Sequence, residues 1–140
     1  YGEDNRGEVY SFQIQSKEIQ RITNNAFLDF SPCVDHLGKY LYYASIRKDS
    51  NGNGKLDERD VSLLVMRNLQ TGEEKVLSSG EVSFFDVKYS TFNGGSVLFS
   101  APYFNSINIY FLPATGSIPK QSNIIEQYQS TKTFLEGQSL

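Results

Sequence analysis

Leu69-Gln70-Thr71-Gly72-Glu73 restates Ile14-Gln15-Ser16-Lys17-Glu18 at an offset of 55, and the same step carries Ile22-Thr23 onto Leu77-Ser78. Thr71-Gly72 returns as Thr115-Gly116 after a shorter step of 44. The two steps differ by 11, close to the length of the polar segment 49–60. The spacing predicts a basic unit of roughly 44 residues, lengthened once by an inserted loop. A second register points the same way. Phe30-Ser31-Pro32 matches Tyr89-Ser90-Thr91 at an offset of 59, and Gly38-Lys39-Tyr40-Leu41 matches Gly95-Ser96-Val97-Leu98 at 57.

Each unit is filled with strand signals. From Tyr10 the segment Val9-Tyr10-Ser11-Phe12-Gln13-Ile14 alternates apolar and polar residues, which suits a half-buried strand. Lys39-Tyr40-Leu41-Tyr42-Tyr43-Ala44 is aromatic-rich and follows Gly38. Leu63-Leu64-Val65-Met66 is a continuous apolar run, as expected of a strand covered on both faces. Segments 82–87, 96–101 and 107–112 complete the set. Turn signals separate them: Thr71-Gly72, Asn93-Gly94-Gly95 and Thr115-Gly116. Pro32 is expected at a turn entry, and the Asn93-Gly94-Gly95 run supplies residues that tolerate positive φ. Units of this length holding about four short strands match the blade of a β-propeller.

Phe30-Ser31-Pro32, followed by Gly38-Lys39-Tyr40-Leu41-Tyr42-Tyr43-Ala44-Ser45, resembles the hallmark of TolB-like (WD-like) propeller repeats, and the Thr71-Gly72-Glu73 turn is typical of them as well. The stretch 33–37 is longer than in that hallmark, and the second copy at 89–100 has lost its proline. The resemblance covers residues 1–121 and implies blade parts at 1–28, 29–80 and 81–121. The expected fold is all-β, a partial β-propeller of about two to two and a half four-stranded blades. Residues 122–140 form a C-terminal extension, with a short helix expected over 124–136 from the spacing of Ile124, Tyr128, Lys132 and Leu135 behind an Asn123/Glu126 capping box. A ring of four to eight such blades exceeds 140 residues, so the chain is expected to be a segment of a larger protein or to close with partner chains.

The sharpest chemical signal is the inserted loop. Asp49-Ser50-Asn51-Gly52-Asn53-Gly54-Lys55-Leu56-Asp57-Glu58-Arg59-Asp60 fits the twelve-position calcium loop of EF-hands. Asp49, Asn51 and Asn53 place oxygen side chains at the first, third and fifth positions, and Gly54 allows the sharp bend at the sixth. Lys55 would offer its backbone carbonyl, Leu56 would anchor the loop, Asp57 would act through water, and Asp60 would close the site. Calcium is a hard cation needing six to eight oxygens, which alternating oxygen donors around a tight turn can supply. Asp at the last position makes bidentate closure less assured than Glu, and the flanks read as strands rather than helices. The expectation is Ca2+ held in a blade hairpin, with a dissociation constant on the order of 10⁻⁵–10⁻³ M. Residues 2–7, in the equivalent hairpin of a preceding blade, lack that spacing and read as a plain turn.

Composition narrows the function classes. The net charge is −3 and the pI about 5.1, which gives no electrostatic reason for nucleic acid or an anionic membrane surface as partner. No apolar run approaches the ~20 residues that span a bilayer. A single cysteine, Cys33, excludes an internal disulfide, and the single histidine, His36, excludes a His/Cys cluster of transition-metal spacing. Neither has a base or nucleophile placed beside it by the sequence, Ser31 and Ser90 lack a glycine-flanked elbow, and Asp29, Asp35 and Asp86 read as ordinary surface acids. The nine tyrosines and ten phenylalanines are read as filling between packed sheets.

These features lead to a noncatalytic protein-interaction scaffold, with other proteins or further blades of the same protein as partners and structural calcium in the loop. The resemblance implies a periplasmic or extracytoplasmic setting. The alternatives are the substrate-filtering propeller of a prolyl-oligopeptidase-like hydrolase and a calcium-dependent docking module.

Overall fold

The computed structural model describes residues 7–78, 83, 85–91, 95–103 and 106–113. Among them are nine strands and no helix. They are β1 (Tyr10–Phe12), β2 (Ile19–Arg21), β3 (Leu28–Val34), β4 (Tyr40–Ile46), β5 (Ser62–Asn68), β6 (Glu74–Val76), β7 (Phe85–Ser90), β8 (Ser96–Tyr103) and β9 (Ser106–Pro113). They form a hairpin β1-β2, a four-stranded sheet β3-β4-β5-β6 and a three-stranded sheet β7-β8-β9, each pairing its strands antiparallel in chain order. The tail helix expected over 124–136, the Thr115-Gly116 turn and most of the Asn93-Gly94-Gly95 turn lie outside the described residues.

The central sheet is buried on both faces, and this explains its sequence. Tyr42, Ala44 and Leu64 face the third sheet and join Val87, Val97, Phe99, Ala101 and Leu112 in one core. Their neighbours Leu41, Tyr43 and Val65 point the other way and join Val9 and Ile22 of the hairpin region in a second core. Period-two geometry thus sends successive apolar residues to opposite cores, so the Leu63–Met66 run needs no alternation. Burying each such side chain contributes about 1.5–3 kcal/mol. The hairpin also approaches the central sheet through backbone. The Asp29 amide donates to the Gly7 carbonyl at 2.9 Å, and a Cβ at Gly7 would stand 2.8 Å from the Asp29 oxygen.

The longer sequence repeat is present in three dimensions. In the β1-β2 turn, the Gln13 amide donates to the Glu18 carbonyl and the Lys17 amide to the Gln13 carbonyl; in the β5-β6 turn, Asn68 donates to Glu73 and Gly72 to Asn68. Lys17 and Gly72 both have positive φ, 62° and 76°. A side-chain bond repeats too: the Val9 amide donates to Thr23 Oγ1 (2.9 Å), and the Leu64 amide donates to Ser78 Oγ (3.1 Å). Thr23 and Ser78 are both buried. Thr23→Val and Ser78→Ala each remove the acceptor of a buried amide and are expected to lower stability by roughly 1–2 kcal/mol, with similar losses in urea denaturation because the two sites are equivalent.

The insertion is equally visible in strand register. Tyr40 pairs with Asn68, whereas its counterpart Ser96 pairs with Pro113. The β8-β9 hairpin is therefore shorter than the β4-β5 hairpin by nearly the whole of the segment 49–60, which is the loop joining β4 to β5.

Several expectations need correction. Ser31 and Pro32 do not enter a turn. They lie within β3 at a β-bulge, where two residues oppose the single residue Tyr43 and Ser31 takes φ 51°. Proline suits a bulge because it has no N–H to leave unpaired. The third sheet repeats the device with Asp86 (φ 52°) and Val87 opposite Phe99. The counterpart of Phe30-Ser31 is therefore Phe85-Asp86, at the same offset as the turn repeat, and not Tyr89-Ser90, because the bulge sets the match. In the strand that follows, Tyr40 corresponds to Ser96 rather than to Val97. The turn expected at Pro32 lies instead at residues 35–38, where Asp35 Oδ1 accepts the amides of Lys39 and Tyr40 and Gly38 takes φ 66°. Tyr10, Phe12 and Ile14 are exposed, so this segment is not half-buried, and its strand covers only Tyr10–Phe12.

Candidate metal centre

The inserted loop leaves β4 at Ile46 and returns into β5 at Ser62, a directly paired couple. Its path follows from side chains competing for their own backbone. Asp49 sits at the middle: Oδ1 accepts the amides of Gly52 (2.7 Å) and Asn53 (3.1 Å), and Oδ2 accepts that of Gly54 (2.7 Å). Asn51 Oδ1 accepts the Asn53 amide, and Asn53 Oδ1 accepts the Lys55 amide. Gly52 and Gly54 have φ of 75° and 80°, conformations that a Cβ would strain. Asp49, Asn51 and Asn53 are thus joined in one tight turn, with Lys55 at its end.

The two later acids are held differently. Asp57 Oδ2 accepts from the Asn53 side-chain amide (2.9 Å) and pairs with Arg59 at 2.9 Å. The Arg59 guanidinium is the main cause that holds the Asp57 carboxyl well below the usual carboxylate range. The Arg59 side chain is 75% exposed, so the pair is partly screened by salt and weak. Asp60 is only 2% exposed and serves as the floor of the loop. Its Oδ2 accepts the Asp57 amide, and its Oδ1 accepts the Ser50 amide, the Ser50 hydroxyl and the Asn51 amide. The Asp57 amide is foremost among the bonds that lower the Asp60 pKa. Ser50 Oγ in turn accepts the Val61 amide, so Ser50 and Asp60 lock the two ends of the loop together.

The donor set is one of hard oxygens, which fits calcium and not a thiolate- or imidazole-seeking metal. Asp49, Asn51, Asn53 and the Lys55 carbonyl lie along the single turn that would hold the ion. Among the described residues no group of three or more His, Cys, Asp or Glu side chains gathers for a metal, and here Asp60 commits its oxygens to amides at the loop floor. The floor function of Asp60, the Ser50 latch and the Arg59 pairing were not foreseen from the sequence. Only the Asp57/Arg59 proximity carried a signal, as opposite charges two positions apart.

Outside the loop, Asp29, Glu74 and Glu8 each have hydrogen-bond partners. Asp29, expected at the surface, is 3% exposed. Burial is tolerated because Ser45 Oγ donates to its Oδ1 (2.5 Å) and Asn25 Nδ2 to its Oδ2 (2.9 Å). Glu74 accepts from Tyr43 Oη (2.7 Å), Arg47 (3.0 Å) and Arg67 (2.9 Å). Glu8 accepts from Arg21, Thr23 and the Asn25 amide. Cys33 is a poor nucleophile: burial pushes its thiol up to about 11, so it stays protonated near neutrality. His36 is exposed, and its Nδ1 lies 2.9 Å from Tyr89 Oη with the rings stacked. No acid-base-nucleophile relay links these groups among the described residues.

The carboxylates set an acid limit to stability. Burial alone would raise the Glu74 pKa, but the Tyr43 hydroxyl and the two guanidinium groups outweigh it and leave it below its ordinary 4.5. A depressed folded-state value means that the stabilisation is complete above about pH 4.5 and is lost as pH falls through the folded value. Glu74→Gln is expected to lower stability at neutral pH and to flatten the acid limb of a denaturation-versus-pH curve.

No protein-family model matches the chain, and no curated protein matches it either.

Proposed function

We propose that the chain is a noncatalytic β-propeller segment, of the TolB-like kind its repeats resemble, acting as a protein-interaction scaffold with a structural Ca2+ in the 49–60 loop. The observation that carries this reading is a structural repeat at an offset of 55: the turn and the buried Thr/Ser-to-amide bond of the β1-β2 region recur in the β5-β6 region, and the bulge of β3 recurs in β7. Sequential antiparallel sheets packed face to face are what propeller blades require. Their loops offer binding surface on a rigid frame. An open cavity of about 990 Å3 beside the loop floor is lined by charged residues such as Glu8, Arg21 and Glu58 and by apolar ones such as Leu28, Phe30 and Ile46, and offers a partner segment a mixed surface. An extracytoplasmic location, where calcium reaches millimolar levels, fits a loop of moderate affinity. A crystal structure grown with calcium chloride tests the reading. The expected result is a radial arrangement of sheets about a common axis with an ion inside residues 49–60; sheets stacked without such an axis would remove the propeller.

A further inference from the structure

The turn at the middle of the inserted loop carries the same chemical liability twice. Asn51-Gly52 and Asn53-Gly54 are each an asparagine followed by a glycine. In such a pair the glycine amide nitrogen can attack the asparagine Cγ, because glycine has no side chain to hinder the approach. The N–Cγ bond forms and the Cγ–Nδ2 bond breaks. Nδ2 leaves as ammonia, taking up the proton that the glycine nitrogen gave. Water then opens the cyclic imide to aspartate or isoaspartate, and nothing is oxidised or reduced.

Neither burial nor bulk protects these pairs. Asn51, Gly52, Asn53 and Gly54 are all exposed, and a Cβ at either glycine would meet nothing within 4 Å. The restraint comes from the Asp49 carboxylate. Its Oδ1 accepts the Gly52 amide and its Oδ2 the Gly54 amide, each at 2.7 Å. These are the two nitrogens that would attack. Each must shed its proton to do so. A carboxylate bonded to that proton holds it in place, and its charge opposes the amide anion that would result. The side chains under attack are fixed as well: Asn51 Oδ1 accepts the Asn53 amide, and Asn53 Oδ1 the Lys55 amide. Asn53 Nδ2, which would have to leave, donates to Asp57 Oδ2.

We infer that Asn51-Gly52 and Asn53-Gly54 are latent deamidation sites, both held unreactive by the Asp49 carboxylate that binds their attacking amides. Opening of the loop releases the two together. Each event puts a new carboxylate beside Asp49 and Asp57, and isoaspartate also lengthens the backbone inside the turn. The inference goes beyond the scaffold reading. It needs no calcium, so it is tested in chelator and its failure would leave that reading standing.

The full chain is incubated in mildly alkaline buffer with chelator, either folded or unfolded in urea, and then digested with trypsin. Cleavage after Lys48 and Lys55 puts both asparagines on one peptide, where fragmentation in the mass spectrometer tells them apart. Asn93-Gly94, outside the described residues, falls on another peptide. The folded parent is expected to deamidate at both sites at least about tenfold more slowly than the unfolded parent. Asp49→Ala, folded by far-UV circular dichroism, is expected to lose most of that protection at both. Asp49→Asn divides the sites and decides the matter if Asp49→Ala does not fold. Its single side-chain oxygen goes where the Gly52 and Asn53 amides converge, which leaves its NH2 facing the Gly54 amide. Asn53 is therefore expected to react about tenfold faster than in the parent while Asn51 stays slow. Equal rates in folded and unfolded parent, a folded Asp49→Ala as slow as the parent, or an Asp49→Asn that speeds both sites equally or neither, would overturn the inference.

Discussion

Leu64→Ala is expected to destabilise the chain by about 3 kcal/mol, read as a lowered urea midpoint with an unchanged slope. Leu64 is 1% exposed and sits in the core shared by the four-stranded and three-stranded sheets, among Tyr42, Ala44, Leu77, Val97 and Phe99. Truncation removes the transfer energy of the lost carbons and leaves a cavity walled by strands whose backbone ladders cannot collapse inward. The same deletion at Val34, which is 45% exposed, is expected to change stability by no more than about 0.5 kcal/mol. If Leu64→Ala and Val34→Ala cost the same, the two sheets are not held by a common core.

Calcium is expected to raise stability by about 2.7 kcal/mol when its free concentration is about one hundred times the dissociation constant. The measurement is the thermal midpoint of the parent chain in millimolar calcium chloride and in chelator; equal midpoints would falsify the site. The variants then locate it. Asp49→Ala is expected to abolish the calcium-dependent increment, because Asp49 would supply the first ligand of the turn in the proposed site. It is also expected to lower the midpoint somewhat in chelator, since Asp49 accepts three backbone amides without any ion. That second effect differs from what the ligand pattern alone implies, which is no change in chelator. Arg59→Ala is expected to strengthen calcium binding by freeing the Asp57 carboxylate of its competitor. Asp60→Ala is expected to lower the midpoint in both buffers, because it removes the floor beneath the loop.

The strands of the central sheet were legible because their evidence is local. Tyr40, Tyr42 and Tyr43 between turn residues, and four apolar residues in a row at 63–66, leave little besides strand. The longer repeat was legible because hairpin turns demand particular residues, which recur with the turn. Pro32 misled because a bulge and a turn both welcome a residue without an amide hydrogen, and only the partner strand distinguishes them. Asp29 misled because its burial depends on Ser45 and Asn25, which no local pattern ties to it. Tyr10 and Phe12 show a half-buried alternation, yet which face is covered depends on neighbours rather than on the pattern. In the loop, Asp49, Asn51 and Asn53 could be read from spacing, whereas the floor position of Asp60 comes from the closing geometry of β4 and β5.

The kinks at Ser31-Pro32 and Asp86-Val87 fall on β3 and β7, the strands that border their sheets. A flat border with free amides and carbonyls is a template on which stray chains add sideways and grow into fibrils. Here the border is bent, and in β3 one hydrogen-bond donor is deleted outright. Lateral addition of a stray strand at these two borders is thereby disfavoured.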